Sequence, residues 1–330
     1  MPKRKKVLPE LQFHIAAEQA ARSRKTYVYA NDAMKHEYGL IIRSLENPEQ
    51  LTGLSTGYPE LDEFTHGGLQ NKTLIVLAAR PAMGKHTLCL CIAQYVATSL
   101  DKTVGLFSLK MSTNQVAQKL IAIQSGVHTY RLRRNILDSE ELSKINDAIR
   151  ELPDSKLIID DTSMLTPNQL AYKARRLKRK YDLKLIVIDS LQLMVAGMAG
   201  KGNRTVEIDE ILRSLKYLAI ELDIPIIILS QLNRSLENRS NKRPTIPDLR
   251  YSQSIEPYAD IILTIYRDEY YNKENSNDKN MAEVIISKNR NGPTGSFQLK
   301  YGPEHQRFES LTHCKLSSKN SQQDTQKIHK

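Results

Sequence analysis

The sequence predicts an α/β protein with a mostly parallel central sheet and a helical N-terminal extension. Residues 74–109 read as a strand–loop–helix–strand unit. It comprises the apolar run Leu74–Ala79, a tight segment ending Gly84-Lys85, an apolar helix from about His86 to Ser99, and a second strand, Val104–Leu109. Short apolar runs then recur between helix-patterned segments, the alternation that builds a parallel sheet. Ahead of this unit, residues 8–23 and 28–47 carry helical apolar periodicity with few breakers.

In chain order, the amphipathic segment 28–47 ends at Asn47-Pro48. Two amphipathic helices ahead of a core need an apolar surface to cover, and a neighbouring subunit is a candidate. Residues 54–69, LSTGYPELDEFTHGGL, read as a turn, a short helix and a glycine-rich turn. After the central unit, Ser112 and Gln115 cap a helix over Asn114–Ser125, and Asp138-Ser139-Glu140-Glu141 opens another to about Glu151. Leu157–Asp160 is a strand. Thr166, Pro167 and Gln169 combine cap, proline and box at the start of the next helix. That helix carries Lys173, Arg175, Arg176, Lys178, Arg179 and Lys180, a face for solvent or for nucleic acid. Leu185–Asp189 is an almost wholly apolar strand ending in a carboxylate. A glycine-containing loop at 197–204, a helix over Thr205–Asp223 and a strand from Pro225 to Leu229 follow, the last running into Ser230-Gln231. Strands Ile261–Tyr266, Ala282–Lys288 and Ser296–Tyr301 complete the series, with antiparallel pairing after the turn at Asn291-Gly292-Pro293.

A chain of 330 residues, 40% hydrophobic and 26% charged, suffices for one large α/β domain with attachments. No apolar run reaches the roughly 18 residues of a membrane span and no signal peptide is visible, so a cytoplasmic protein is expected. Cys89, Cys91 and Cys314 make an odd count without framework or zinc spacing, so reduced thiols are expected, the first two as small core residues. The net charge of +11 gathers at the ends. Residues 1–26 hold seven Lys or Arg against two Glu, and residues 312–330 hold four Lys against one Asp. Basic ends favour anionic partners in a salt-dependent way, while the C-terminal KLSSKNSQQDTQKIHK also reads as a disordered tail. PKRKK at 2–6 has the look of a nuclear-import signal, a pattern short enough to arise by chance.

The loop after the first strand is Ala79-Arg80-Pro81-Ala82-Met83-Gly84-Lys85-His86-Thr87, a near-match to the phosphate-cradling pattern G-x-x-x-x-G-K-[ST]. Backbone N–H groups at a helix N-terminus wrap phosphates there, and the lysine adds a point charge. Ala79 replaces the usual first glycine and His86 the metal-binding hydroxyl. An open α/β sheet places its ligand at the carboxyl ends of its strands. Those ends here carry the loop, Lys110 after Leu109, Asp189 after Ile188 and Gln231 after Ser230. A phosphate lysine, an aspartate able to hold Mg²⁺ and a glutamine near the γ-phosphate make a nucleoside triphosphatase layout.

The segments TGYPELDEFTHGGL, LAARPAMGKHTL, VGLFSLKMS, LIVIDSLQLM, IIILSQLNR, KRPTIPDLRYSQSIEPYADIILTIYRDEYY and SKNRNGPTG resemble the C-terminal RecA-type motor domain of the DnaB family of replicative DNA helicases. The resemblance spans about Leu51 to Leu311. It implies a basic N-terminal segment 1–27, a linker helix 28–50 that docks on the adjacent subunit of a ring, a RecA-like P-loop NTPase motor domain 51–311, and a basic tail 312–330. With about 27 residues ahead of the linker, the family's N-terminal collar domain is not expected in this sequence. The resemblance also implies ATP and Mg²⁺ as cofactors and 5′→3′ travel along single-stranded DNA threaded through a homo-hexamer. A related active helicase or a primase is implied as a further partner. By motif position the loop 79–87 binds nucleotide, with Lys85 on the β/γ-phosphates. Asp189 supports the metal, Gln231 senses the γ-phosphate, and Lys288 and Arg290 reach the neighbour's nucleotide as finger residues. Arg250, Tyr251 and Gln253 fall in a DNA-contacting loop.

The departures from the family pattern fall on functional segments. Lys110 stands where the family has the glutamate taken to activate the attacking water. A charged ammonium cannot accept that proton, and losing a general base typically costs about 10²–10⁴ in rate. His86 replaces the threonine that ligates Mg²⁺, an ion that prefers oxygen, and Thr87 is turned away by about 100° of helix rotation. Tyr251 and Gln253 stand where the family has Glu and Gly, and glutamine at a glycine position predicts an altered backbone there. Two functions remain open. One is a working ATP-dependent DNA helicase whose base comes from another residue. The other is a catalytically impaired relative that binds nucleotide or DNA, as a ring subunit or accessory replication factor.

Overall fold

The computed structural model describes residues 28–46, 52–150, 156–196, 202–274 and 276–311. The basic segment 1–27 with its expected helix at 8–23, residues 197–201 of the expected loop, and the tail 312–330 with Cys314 lie outside the described residues. The chain falls into two units, 1–50 and 51–330. The first contributes one described helix, α1 (Ala30–Glu46), where the periodicity places it. Met34, Tyr38, Ile41 and Leu45 recur along one side of α1 at helical spacing, and all four are exposed.

The second unit begins with a short helix, α2 (Pro59–Phe64), and β1 (Leu74–Ala79), which leads through a tight loop into α3 (Lys85–Thr98) and then β2 (Val104–Ser108). Helices α4 (Thr113–Ser125), α5 (Thr129–Arg134) and α6 (Ser139–Arg150) precede β3 (Leu157–Asp160). Then α7 (Pro167–Tyr181) leads to β4 (Leu185–Asp189), α8 (Arg204–Leu222) to β5 (Ile226–Gln231), and α9 (Ser252–Tyr258) to β6 (Ile261–Tyr266). A single turn, α10 (Asp268–Tyr271), is followed by β7 (Met281–Asn289), β8 (Gly295–Gly302) and β9 (Arg307–Ser310). Among the described residues these strands form one sheet of order β3-β2-β4-β5-β1-β6-β7-β8-β9. The pairings from β3 through β6 are parallel and the last three antiparallel, as the sequence predicts. The capping boxes at Ser112/Gln115 and Thr166/Gln169 both form. Sequence patterning misses α5, α9, α10 and β9, elements too short to establish a period.

The central strands are buried on both faces, which is why they read as unbroken apolar runs. Leu74, Val76 and Ala78 of β1 join Ile186, Ile188, Ile226 and Ile228 on one face, packed against Leu170 of α7, Ile211 and Leu215 of α8, and Ile255 of α9. Ile75, Leu77 and Ala79 join Leu185, Val187, Ile227 and Leu229 on the other, against Leu88, Ile92 and Val96 of α3 and Val116 of α4. Cys89 and Cys91 are free thiols buried in this second core, and burial pushes both thiol pKa values up. The basic face of α7 is partly spent within the chain. Lys173 Nζ lies 2.6 Å from Asp160 Oδ2, and Arg175 makes two bonds of 2.7 and 2.8 Å to Glu221.

Candidate nucleotide site

Parallel strand order brings residues far apart in sequence to one edge of the sheet. β1 ends at Ala79, in register with Gln231 at the end of β5. β4 ends at Asp189, in register with Ser108 of β2. The Leu109 N–H donates to the Asp189 carbonyl at 2.7 Å, which fixes Lys110 one residue beyond, exposed at the rim.

The loop between β1 and α3 is shaped by two left-handed residues, Ala82 (φ 64°) and Gly84 (φ 95°). Ala79 is the fully buried last residue of the strand, so the position needs no glycine. Gly84 does need to be one. A Cβ there would lie 2.8 Å from Phe308 Cζ and 3.2 Å from Tyr301 Cε2. Lys85 opens α3 only 5% exposed. Burial brings its ammonium pKa down to about 8; Asp189 opposes that shift, and the charges of Lys110 and Arg80 reinforce it. Arg80 points out of the cradle, with Nε and Nη2 at 2.9 and 2.8 Å from Glu237 Oε1 and Nη1 at 3.1 Å from the Leu232 carbonyl.

His86 turns into the site. Its Nδ1 lies 2.6 Å from Asp189 Oδ2, while Asp189 is buried and its Oδ1 has no hydrogen-bond partner among the described residues. Thr87 is buried, one residue and about 100° of helix rotation on from His86, so it does not take the hydroxyl's place beside Asp189.

Two cations escape the sequence reading. Lys119 of α4 donates to Gln306 Oε1 at 2.7 Å. Burial lowers its pKa, with the charges of Arg133 and Lys110 reinforcing the shift and Asp189 opposing it. Its place on a polar helix face gives no signal in the sequence. Arg267 holds its guanidinium 4.2 Å over the Tyr301 ring and donates from Nη1 to the Ala82 carbonyl at 3.3 Å, tying the loop to β8. It directly follows β6, so the strand-end rule that picks out Asp189 and Gln231 would also have found it.

Lys288 and Arg290 stand apart from this cluster. Lys288 pairs with Ile262 near the start of β6, whereas the loop lies beyond the far end of that strand, about 13 Å away at roughly 3.3 Å per residue. Lys288 Nζ donates to the Glu256 carbonyl, and Arg290 Nη2 to the Pro257 carbonyl at 2.7 Å. Neither points at this chain's own loop. The Arg250 N–H donates to the Gln231 carbonyl at 3.1 Å, and its exposed guanidinium lies 5.4 Å from the Tyr251 ring centroid. The altered backbone expected at Gln253 is not found. Gln253 lies in the first turn of α9, where right-handed geometry accepts any side chain, and the left-handed residue is Tyr251 (φ 68°) at its N-cap.

A phosphate loop closing β1, an aspartate closing β4 and a glutamine closing β5, on one edge of a mostly parallel sheet, define a P-loop nucleoside triphosphatase of the RecA type. The family model for the DnaB-like helicase C terminal domain matches residues 53–310, and the chain belongs to that family. It is 42% identical over 286 residues to the replicative DNA helicase DnaB of Geobacillus stearothermophilus, covering 84% of this chain and 63% of that protein. Against the DnaB of Haemophilus influenzae it is 46% identical over 274 residues, covering 82% of this chain and 58% of the other. The chain thus spans about three-fifths of the length of these relatives. Among solved structures, one ATPase domain superposes with a TM-score of 0.79 at 36% identity, covering 85% of this chain and 98% of that one. A DnaB-like replicative helicase, solved in a study of its interactions with primase, superposes with a TM-score of 0.80 at 35% identity, covering 91% and 71%. No helix among the described residues is long and apolar enough to cross a membrane.

The residues present fit a nucleotide's phosphates but not the Mg²⁺ that the family implies. The cradle, the buried Lys85 and Gln231 are in place. At the metal position, an imidazole occupies Oδ2 of Asp189 and leaves Oδ1 without a partner among the described residues, His86 stands where a hydroxyl would follow Lys85, and Lys110 brings a cation to the rim. Among the described residues no group of three or more His, Cys, Asp or Glu is placed to hold a metal ion.

Proposed function

We propose that the chain is a DnaB-like motor-domain protein that binds ATP and single-stranded DNA as a subunit of a ring, with ATP hydrolysis held to a slow rate. Lys110 carries this reading, because it stands beside Asp189 at the edge of an otherwise intact phosphate cradle. In this role the N–H groups of the turn at 82–85 and the Lys85 ammonium bind the β- and γ-phosphates, and Gln231 reports on the γ-phosphate. Lys110 neutralises charge on the triphosphate but takes no proton from water. Asp189 is the candidate metal residue, weakened in that role by His86. Lys288 and Arg290 serve a neighbour's nucleotide, which is consistent with their distance from this chain's own loop and requires an oligomer, a hexameric ring by family resemblance. A primase and a related active helicase are the candidate protein partners, the former because a similar protein was solved in a study of its primase interactions.

Steady-state ATPase measurement with and without single-stranded DNA, beside binding of a fluorescent ATP analogue, tests the reading. Saturable binding is expected, with turnover well below the common enzyme range of about 1–10³ s⁻¹. Turnover within that range when DNA is added would favour the alternative, a working helicase, which the identity to replicative helicases supports.

A further inference from the structure

The His86–Asp189 contact and the lysines around it bear on how the phosphates are neutralised. P-loop proteins bring two positive charges to the triphosphate as Mg²⁺, held through a hydroxyl after the loop lysine and a strand-end aspartate. Here the hydroxyl's place is taken by His86, whose Nδ1 lies 2.6 Å from Asp189 Oδ2. The next hydroxyl, on Thr87, is buried and turned from His86 by about 100° of helix rotation. Imidazole is a poor ligand for Mg²⁺. Of the two protein oxygens that would join phosphate oxygens and waters around the ion, the hydroxyl is thus lost, and Asp189 keeps only Oδ1 without a partner among the described residues.

The same site has gained positive charge. Exchanging an acid for Lys110 changes the local charge by two, the charge Mg²⁺ would bring. Lys119 lies within electrostatic reach of both Lys110 and Asp189, and Lys85 within reach of the same two groups. Arg80 is not part of this set, because Glu237 pairs it. Three lysines thus lie within electrostatic reach of one aspartate that is already engaged by an imidazole, although Lys119 also donates to Gln306. An added dication would meet repulsion from Lys85 and Lys110, whereas a free triphosphate brings several negative charges that suit them.

We propose that this site takes nucleoside triphosphates as metal-free polyanions, with Lys110 and Lys119 supplying the charge that Mg²⁺ would otherwise supply and His86 closing the metal position. The inference rests on the reading that the loop binds nucleotide. It assigns Lys110 a binding role in place of the lost base, and it adds Lys119 to the site.

The test is binding of a fluorescent ATP analogue to the full chain by anisotropy, in excess Mg²⁺ and in EDTA, with inorganic tripolyphosphate as competitor. Affinity in EDTA should equal or exceed that in Mg²⁺, and tripolyphosphate should compete in EDTA. Lys110→Glu should weaken binding in EDTA by about tenfold or more, since the charge beside the phosphates changes by two units, and Mg²⁺ should not restore it while His86 stays on Asp189. Lys119→Gln should weaken binding more in EDTA than in Mg²⁺. Both side chains are partly solvent-accessible, and circular dichroism checks that the variants fold. A loss of about tenfold or more when EDTA is added to the wild-type chain overturns the proposal and leaves nucleotide binding standing. No saturable binding in either medium overturns both.

Discussion

His86 Nδ1 lies 2.6 Å from Asp189 Oδ2, across 103 residues of sequence. The pair joins the first turn of α3 to the end of β4, and it occupies one oxygen of the carboxylate on which family-type metal chemistry would depend. Two changes in one site, His86 and Lys110, therefore act together.

Restoring both should restore turnover. His86→Thr alone frees the Asp189 oxygen but leaves no base, and Lys110→Glu alone supplies a base beside a blocked metal position. The double variant should raise DNA-stimulated ATP hydrolysis by about 10² or more over the wild-type chain, the scale of a general base. Each single variant should gain far less. Phosphate release measured at saturating ATP and Mg²⁺ checks this, and a double variant no faster than wild type would assign the slow step elsewhere.

Lys85 sets function against stability. Burial is the first cause of its lowered pKa, about 8 against 10.5 for an ordinary lysine. Between these values the unfolded chain binds more protons, so stability rises with pH through that window. The cost is fully present below about pH 8 and vanishes above the unfolded value. Lys85→Met should therefore stabilise the ligand-free protein at neutral pH by up to about 3 kcal/mol, and the gain should shrink as pH rises from 8 towards 10.5. The same variant should lose nucleotide binding. Urea unfolding at pH 7 and pH 10, beside the anisotropy assay, tests both statements.

Self-association should depend on α1. Met34, Tyr38, Ile41 and Leu45 present an exposed apolar stripe, which an isolated helix has no reason to carry. Tyr38→Asp with Ile41→Asp should shift the protein towards monomer in light scattering with nucleotide and DNA present. Monomer for the wild-type chain at high concentration under those conditions would count against a ring.

Single-stranded DNA should bind through backbone phosphates, with little sequence preference and steep weakening between about 50 and 200 mM salt. The Gln231 carbonyl accepts the Arg250 N–H, so the strand end that faces the phosphate loop is bonded directly to the residue offered to DNA. Arg250→Ala should weaken binding and lower the salt slope by about one. Deleting residues 1–26 should lower the slope further, because that segment holds seven basic residues. If the deletion abolishes binding and Arg250→Ala changes nothing, the loop after β5 is not the DNA site. Lys173 and Arg175, already paired with Asp160 and Glu221, should contribute little.

The sequence by itself determined the α/β class, the parallel block with antiparallel strands at its end, and the strand-end residues Asp189 and Gln231. Each of these is written locally, as an apolar run, a cap or a glycine-lysine turn, and local signals survive without knowledge of what packs where. It also located α1 and the replaced residues His86 and Lys110. Only the tertiary structure decided that His86 turns onto Asp189 and not away from it, since their meeting depends on where β4 lies relative to β1. The same holds for Lys119, which the packing of α4 brings within electrostatic reach of Asp189, and for the contacts of Arg267 with Ala82 and Tyr301, which lie on two other elements. The altered backbone expected at Gln253 is not found there, and the left-handed residue is Tyr251, because where α9 begins fixes which residue caps it. Periodicity finds elements, and contacts between elements distant in sequence arise only once the sheet order has folded them onto one edge.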